Sequence, residues 1–165
     1  MVETDKLHTL DTIYIPESDT PKPAVNSKHP RLYGHLLCPF VEKVRFALAA
    51  RNVPYQRCDM DLGKKTPWHL EINGGLIPVF ELPDGTIINE SKVLMEYVED
   101  AYPTSGYSLL PSDPVLRAQM RLAIPLCDAF TGAWYPIFFK KVYVEEDFVK
   151  LREKLALIEA FIASH

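Results

Sequence analysis

Cys38-Pro39-Phe40-Val41 follows the strand-like run 31–37 and opens a helical pattern, so it sets a single thiol where a helix begins. There a thiol meets backbone N–H groups with no intrahelical acceptor and the positive end of the helix dipole, both of which favour an anionic sulfur. Pro39 suits the first helical position, where the missing N–H would have had no partner. The fourth residue is Val41 rather than a second cysteine, so no disulfide can close within the motif and a redox cycle would need an external thiol. A small core cysteine that happens to precede a helix explains this segment equally well.

The elements that must position the thiol are legible as periodicities. After a strand over 31–37, Phe40, Val44, Ala47 and Leu48 recur at helical spacing in a helix over 39–51. A strand over 54–60 and a short helix near 66–72 come next. Two close strands, 77–82 and 86–89, are joined by Pro83-Asp84-Gly85, which has the residue types of a tight turn, and a helix over 90–101 ends the series. The order βαβαββα over residues 31–106 is that of an α/β thioredoxin-like domain, whose first crossover is right-handed and whose first two strands are parallel. Pro78, at the start of a strand, marks an edge or a special turn, and that fold carries a cis proline at this point, facing the helix-start cysteine.

Residues 1–30 hold Pro16, Pro21, Pro23 and Pro30 among polar residues, which predicts a partly flexible N-terminal extension. Its apolar centre, 10–15, could still lie against the domain as an added strand or clamp. From 107 to 165 the pattern is purely helical. A segment over 113–140 contains Pro125 and Pro136, which predict a kink or a break. A second helix over 145–163 carries the stripe Val144, Phe148, Leu151, Leu155, Ile158 and Ile162. Two helices cannot cover that stripe, so the all-α domain reads as partial, with either more helices or a partner chain required.

Composition narrows the classes. The 165 residues are 47% hydrophobic with a formal charge of -4 and no basic run, which argues for a packed core and against nucleic acid or a polybasic membrane anchor. Three irregularly spaced cysteines, Cys38, Cys58 and Cys127, argue against a disulfide framework and for a reducing, cytoplasmic setting. No stretch reaches the length of a membrane span. Cys58 and Cys127 read as inert core thiols. The five histidines are isolated, so no metal site is expected.

Cys38-Pro39-Phe40, Leu76-Ile77-Pro78-Val79 and Asn89-Glu90-Ser91, with Leu62, Trp68, Glu96-Tyr97, Ala101-Tyr102-Pro103 and Leu109-Leu110-Pro111, carry a resemblance from Arg31 to the end. The chain resembles the omega class of glutathione transferases. That resemblance implies the architecture of those enzymes, with glutathione as co-substrate and Cys38 forming a mixed disulfide with it. It also implies that Phe40 walls the thiol pocket, that the Ile77 backbone before Pro78 meets the cysteinyl part of glutathione, and that Glu90 and Ser91 meet the γ-glutamyl ammonium and carboxylate. Lys65 would meet the glycine carboxylate, and Phe130, Trp134 and Tyr135 would line an acceptor pocket.

Without the resemblance, Ser91 is explained as a helix cap, Glu90 as a solvated first-turn acid, Lys64-Lys65 as a solvated pair and the three aromatics as core. Gly74-Gly75 departs from the family pattern and predicts a looser loop before the Leu76-Ile77-Pro78 strand. The expected activity is reduction of disulfides or dehydroascorbate, in a chain that could form a homodimer. The competing readings are a non-catalytic binding or regulatory module of the same shape, or a piece that needs a partner chain.

Overall fold

The computed structural model describes residues 9–164. The chain divides into two compact units after Leu109. The first contains β1 (Thr9–Ile15), β2 (Arg31–Gly34), α1 (Pro39–Ala50), β3 (Tyr55–Met60), α2 (Pro67–Asn73), β4 (Val79–Glu81), β5 (Ile87–Asn89) and α3 (Ser91–Ala101). Its five strands form one mixed sheet in the order β1-β3-β2-β4-β5. β1, β3 and β2 run parallel, while β4 is antiparallel to β2 and β5 to β4. This is the expected α/β thioredoxin-like architecture, with Thr9–Ile15 of the extension in the sheet as an edge strand beside β3.

Alternation along the strands builds a core on each face of the sheet. Leu32 and Phe80 pack with Val41, Val44, Ala47 and Leu48 of α1 and Leu94 and Val98 of α3. Their neighbours Tyr33 and Val79 belong to the opposite cluster, with Ile15, Cys58 and Met60, against which Trp68 and Ile72 of α2 pack. β2 ends at Gly34, so Leu36 and Leu37, part of the apolar run that suggested a longer strand, are exposed turn residues.

Polar knots close this unit. The Arg51 guanidinium pairs with Glu99 at 2.6 Å and also donates to the carbonyls of Pro103 and Ser105. Glu99 in turn accepts from the Ser108 hydroxyl at 2.7 Å and the Leu109 amide at 3.1 Å. The segment after α3 is thus fastened to the end of α1.

The second unit contains α4 (Pro114–Arg121), α5 (Ala123–Phe138) and α6 (Glu145–Ser164). The expected interruption falls at Leu122, between α4 and α5, while Pro136 stays inside α5. Asp113 caps α4, accepting from the amides of Val115 and Leu116 at 2.9 Å. No helix among the described residues is long and apolar enough to cross a membrane.

Candidate functional site

Three helices begin with a capping position followed by proline: Cys38-Pro39, Thr66-Pro67 and Asp113-Pro114. In the last two the side-chain oxygen accepts from first-turn amides, which is what such a position ordinarily does. Cys38 makes no side-chain cap bond at all. Its backbone holds the turn, with the amide donating to His35 O at 3.0 Å and the carbonyl accepting from Glu42 N at 3.1 Å. A residue kept for stability would be Ser, Thr or Asp here. The thiol, buried at 5% exposure, lies in the cluster against which Phe40 and Ile77 pack.

The Ile77-Pro78 peptide bond is cis, as expected. It lies ahead of β4, so Ile77 stands outside the strand ladder. Two side chains position it from the preceding residue: the Leu76 carbonyl meets His69 Nε2 at 2.9 Å and accepts from Asn73 Nδ2 at 3.1 Å. Burial holds the His69 imidazole below its ordinary pKa. The ring is therefore neutral, with its proton on Nε2 to serve Leu76.

Gly74-Gly75 makes no loose loop. Gly74 closes α2 in the left-handed region at φ 57, its amide donating to Leu70 O at 2.8 Å, and the Gly75 amide donates to His69 O at 3.2 Å. A β-carbon at Gly75 would meet Lys65 Cδ at 2.5 Å, so Lys65 crosses this turn.

At α3 the alternatives for Ser91 are separated. The cap position belongs to Glu90, which makes no side-chain cap bond, and Ser91 is the first helical residue, buried. Glu90 has φ 70, an uncommon conformation for a residue with a side chain. The first intrahelical bond runs from Leu94 N to Glu90 O at 2.9 Å, so the Ser91 amide lies ahead of it.

These segments converge. Phe40, Ile77, Pro78, Glu90 and Ser91 line one cavity of about 240 Å3, together with Asn73 and Leu76. A backbone turn, a helix N-terminus with its dipole and one carboxylate therefore face a common space, an arrangement suited to a zwitterionic peptide-like ligand. Cys38 and Lys65 do not line this cavity. Of the basic pair, Lys64 is taken by Glu17 at 2.8 Å. Phe130, Trp134 and Tyr135 are partly buried in α5 of the second unit, where the Trp134 ring lies 6.0 Å from Tyr135 and 5.9 Å from Phe138.

His69, Asn73 and Leu76 were not expected at the site. Only their nearness to Ile77-Pro78 hints at them, since a histidine in the first turn and an asparagine at the end of a short helix are ordinary. Among the other thiols, Cys58 is buried in β3, where burial pushes it up to about 12. Cys127 is exposed, not the core residue its helical pattern suggested. No group of three or more metal-ligating side chains is gathered among the described residues.

Residues 32–106 match the family model described as "Glutathione S-transferase, N-terminal domain". The chain is 35% identical over 97 residues to glutathione S-transferase omega-1 of Sus scrofa, covering 58% of this chain and 39% of that protein. It spans 38–44% of the length of the curated relatives of this kind. Among solved structures, glutathione transferase Omega 3C from Trametes versicolor superposes with a TM-score of 0.65 at 28% identity, over 89% of this chain and 59% of that one. The tau-class transferase MiGSTU from Mangifera indica gives 0.68 at 27%, over 81% and 62%.

Proposed function

We propose that the chain, whose residues 32–106 match the glutathione S-transferase N-terminal domain, is a glutathione-dependent thiol transferase of omega type, with Cys38 as its nucleophile. The observation that carries this reading is the helix-start cysteine whose side chain caps nothing. A transferase that activates glutathione's own thiolate needs a hydroxyl donor in that place, whereas a cysteine there exchanges with it.

In the proposed cycle the Cys38 thiolate attacks the glutathione sulfur of a mixed disulfide, R–S–S–G. The bond from Cys38 Sγ to the glutathione sulfur forms as the RS–SG disulfide bond breaks, and RS⁻ leaves and takes a proton from water. Cys38 is then released by a second glutathione thiolate, whose attack forms oxidised glutathione and returns the Cys38 thiolate. Two glutathiones give up two electrons, enough to reduce one disulfide or one dehydroascorbate. Val41 in the fourth position leaves no internal thiol to intercept the mixed disulfide.

The Ile77 backbone would align the cysteinyl part of glutathione. The amide and hydroxyl of Ser91 would receive the γ-glutamyl carboxylate, Glu90 its ammonium and Lys65 the glycine carboxylate. Phe40 would wall the thiol, and Phe130, Trp134 and Tyr135 would serve the acceptor. Three free cysteines suit a reducing, cytoplasmic compartment.

The test is glutathione-dependent reduction of hydroxyethyl disulfide by the folded chain and by Cys38→Ala. Activity that disappears with Cys38 supports the reading. Activity retained by Cys38→Ala overturns the role of the cysteine, and a folded parent chain that binds glutathione without turnover overturns catalysis in favour of a binding module.

A further inference from the structure

A second cavity, of about 650 Å3, lies at the carboxyl ends of the three parallel strands and shares no lining residue with the first. Its volume falls within the roughly 300–1,000 Å3 of small-molecule sites, and the carboxyl ends of parallel strands are where open α/β sheets commonly bind ligands. β1 supplies one wall through Tyr14 and Ile15, the turn after β2 supplies Leu36 and Leu37, and the end of β3 supplies Met60. Tyr14, Leu36 and Leu37 are 67%, 52% and 65% exposed, so three apolar side chains that solvent would ordinarily disfavour are gathered around one hollow.

The polar part of the lining has one sign. It includes Asp59 and Asp61 but no lysine or arginine. Asp59 is already neutralised by Arg57, which donates to it at 2.7 Å from outside the cavity. Asp61 is exposed, with Oδ1 accepting the Gly63 amide at 2.8 Å, and the nearby Lys64 ammonium, which its charge also favours, is held by Glu17 at 2.8 Å outside the lining. His35 accepts the Leu37 amide on Nδ1 at 3.2 Å, which fixes the ring against the turn.

We propose that this cavity binds a small organic cation, an amine carried on an aromatic or branched aliphatic body. The apolar body lies among Tyr14, Leu36, Leu37 and Met60, and the ammonium sits beside Asp61 within reach of the Tyr14 ring face. Glutathione, a net anion, does not complement this lining. The site therefore stands apart from the thiol-transfer reading, and either can fail without the other.

The experiment titrates the full chain with 2-naphthylmethylammonium and, separately, with 2-naphthoate, following backbone amide shifts. The amine is expected to move Tyr14, Leu37 and Met60 and leave Phe40 and Ser91 in place, with an affinity unchanged by saturating glutathione, whereas the carboxylate does not bind. Asp61→Asn, which keeps the acceptor for Gly63, weakens the amine about three- to fivefold, the scale of one exposed ion pair. Tyr14→Ala weakens it about tenfold through lost ring contact. Both residues are exposed, and circular dichroism checks that both variants fold. Equal binding of the carboxylate, shifts confined to other residues, or unchanged affinity in both variants would overturn the proposal.

Discussion

Arg31 and Glu81 face each other directly across the β2–β4 ladder, with Arg31 Nη1 donating to Glu81 Oε2 at 3.0 Å and both side chains buried. The same guanidinium donates to the carbonyls of Pro23 and Ala24, and Glu81 also pairs with Lys22 and accepts from the Tyr33 hydroxyl at 2.9 Å. Burial raises the Tyr33 phenol far above its ordinary range, keeping it a proton donor in this network. One cross-strand ion pair therefore fastens the connection between β1 and β2 to the centre of the sheet. Breaking it by Arg31→Met leaves Glu81 buried with only Lys22 and Tyr33 as partners and should cost about 3 kcal/mol, the low end for a broken buried pair. Urea denaturation measures this, and Arg31→Met combined with Glu81→Met should recover most of the loss. A single variant as stable as the parent would show that the network contributes nothing.

Glu90 carries a test of strain against function. At φ 70 a glycine is comfortable and an alanine is not, so Glu90→Gly should be more stable than Glu90→Ala by about 1 kcal/mol. Both should bind glutathione about tenfold more weakly if the carboxylate meets the ammonium. Thermal denaturation and calorimetric titration read the two effects separately. Equal stability of the two variants refutes the strain, and unchanged affinity removes Glu90 from the site.

His69 gives a pH dependence with a definite sign. Burial depresses its folded pKa below the ordinary 6.5, so as pH falls the unfolded chain takes up this proton before the folded one. Its contribution is complete above 6.5 and is lost as pH falls through the lower folded value. Urea midpoints at about pH 7.5 and 5.5 should differ more for the parent than for His69→Gln, which does not titrate. An identical pH slope in the variant would assign the loss to other groups.

Glu99 holds the end of the first unit. Burial raises its pKa, but hydrogen bonds from Arg51, Ser108 and the Leu109 amide outweigh that and leave the carboxyl below its usual value. Glu99→Ala should cost about 3 kcal/mol by leaving Arg51 buried without its partner. It should also remove protection of the Leu109 amide in hydrogen exchange. Undiminished protection at Leu109 would mean that this segment is held by other contacts.

Local chemistry made much of this legible. Proline after a capping position, Pro83-Asp84-Gly85 and helical spacing within 39–51 act over a few residues, and the corresponding elements formed there. What escaped depends on distant partners. Only Ile15 of β1 is buried, so the strand's own pattern was too weak to announce a ladder with Tyr55–Met60. Leu36 and Leu37 prolonged an apolar run and were counted as strand, although they line a hollow instead. His69 looked isolated because its partner is a main-chain carbonyl, which no residue type advertises. Pro78 was singled out by its place at a strand start, whereas Phe40, Ile77, Glu90 and Ser91, which line the same cavity, were singled out only through resemblance, since each alone has an ordinary structural explanation.

The position of β1 bears on how the chain is assembled. It is synthesised before the other four strands of its sheet, yet Tyr55, the ladder partner of Thr9, lies 46 positions downstream, beyond β2 and α1. On the ribosome β1 must therefore wait without a strand partner while β2 and β3 are made. The crossover through α1 closes the shorter loop, and once it has formed β1 has only the connection 16–30 left to close in order to add as the edge strand.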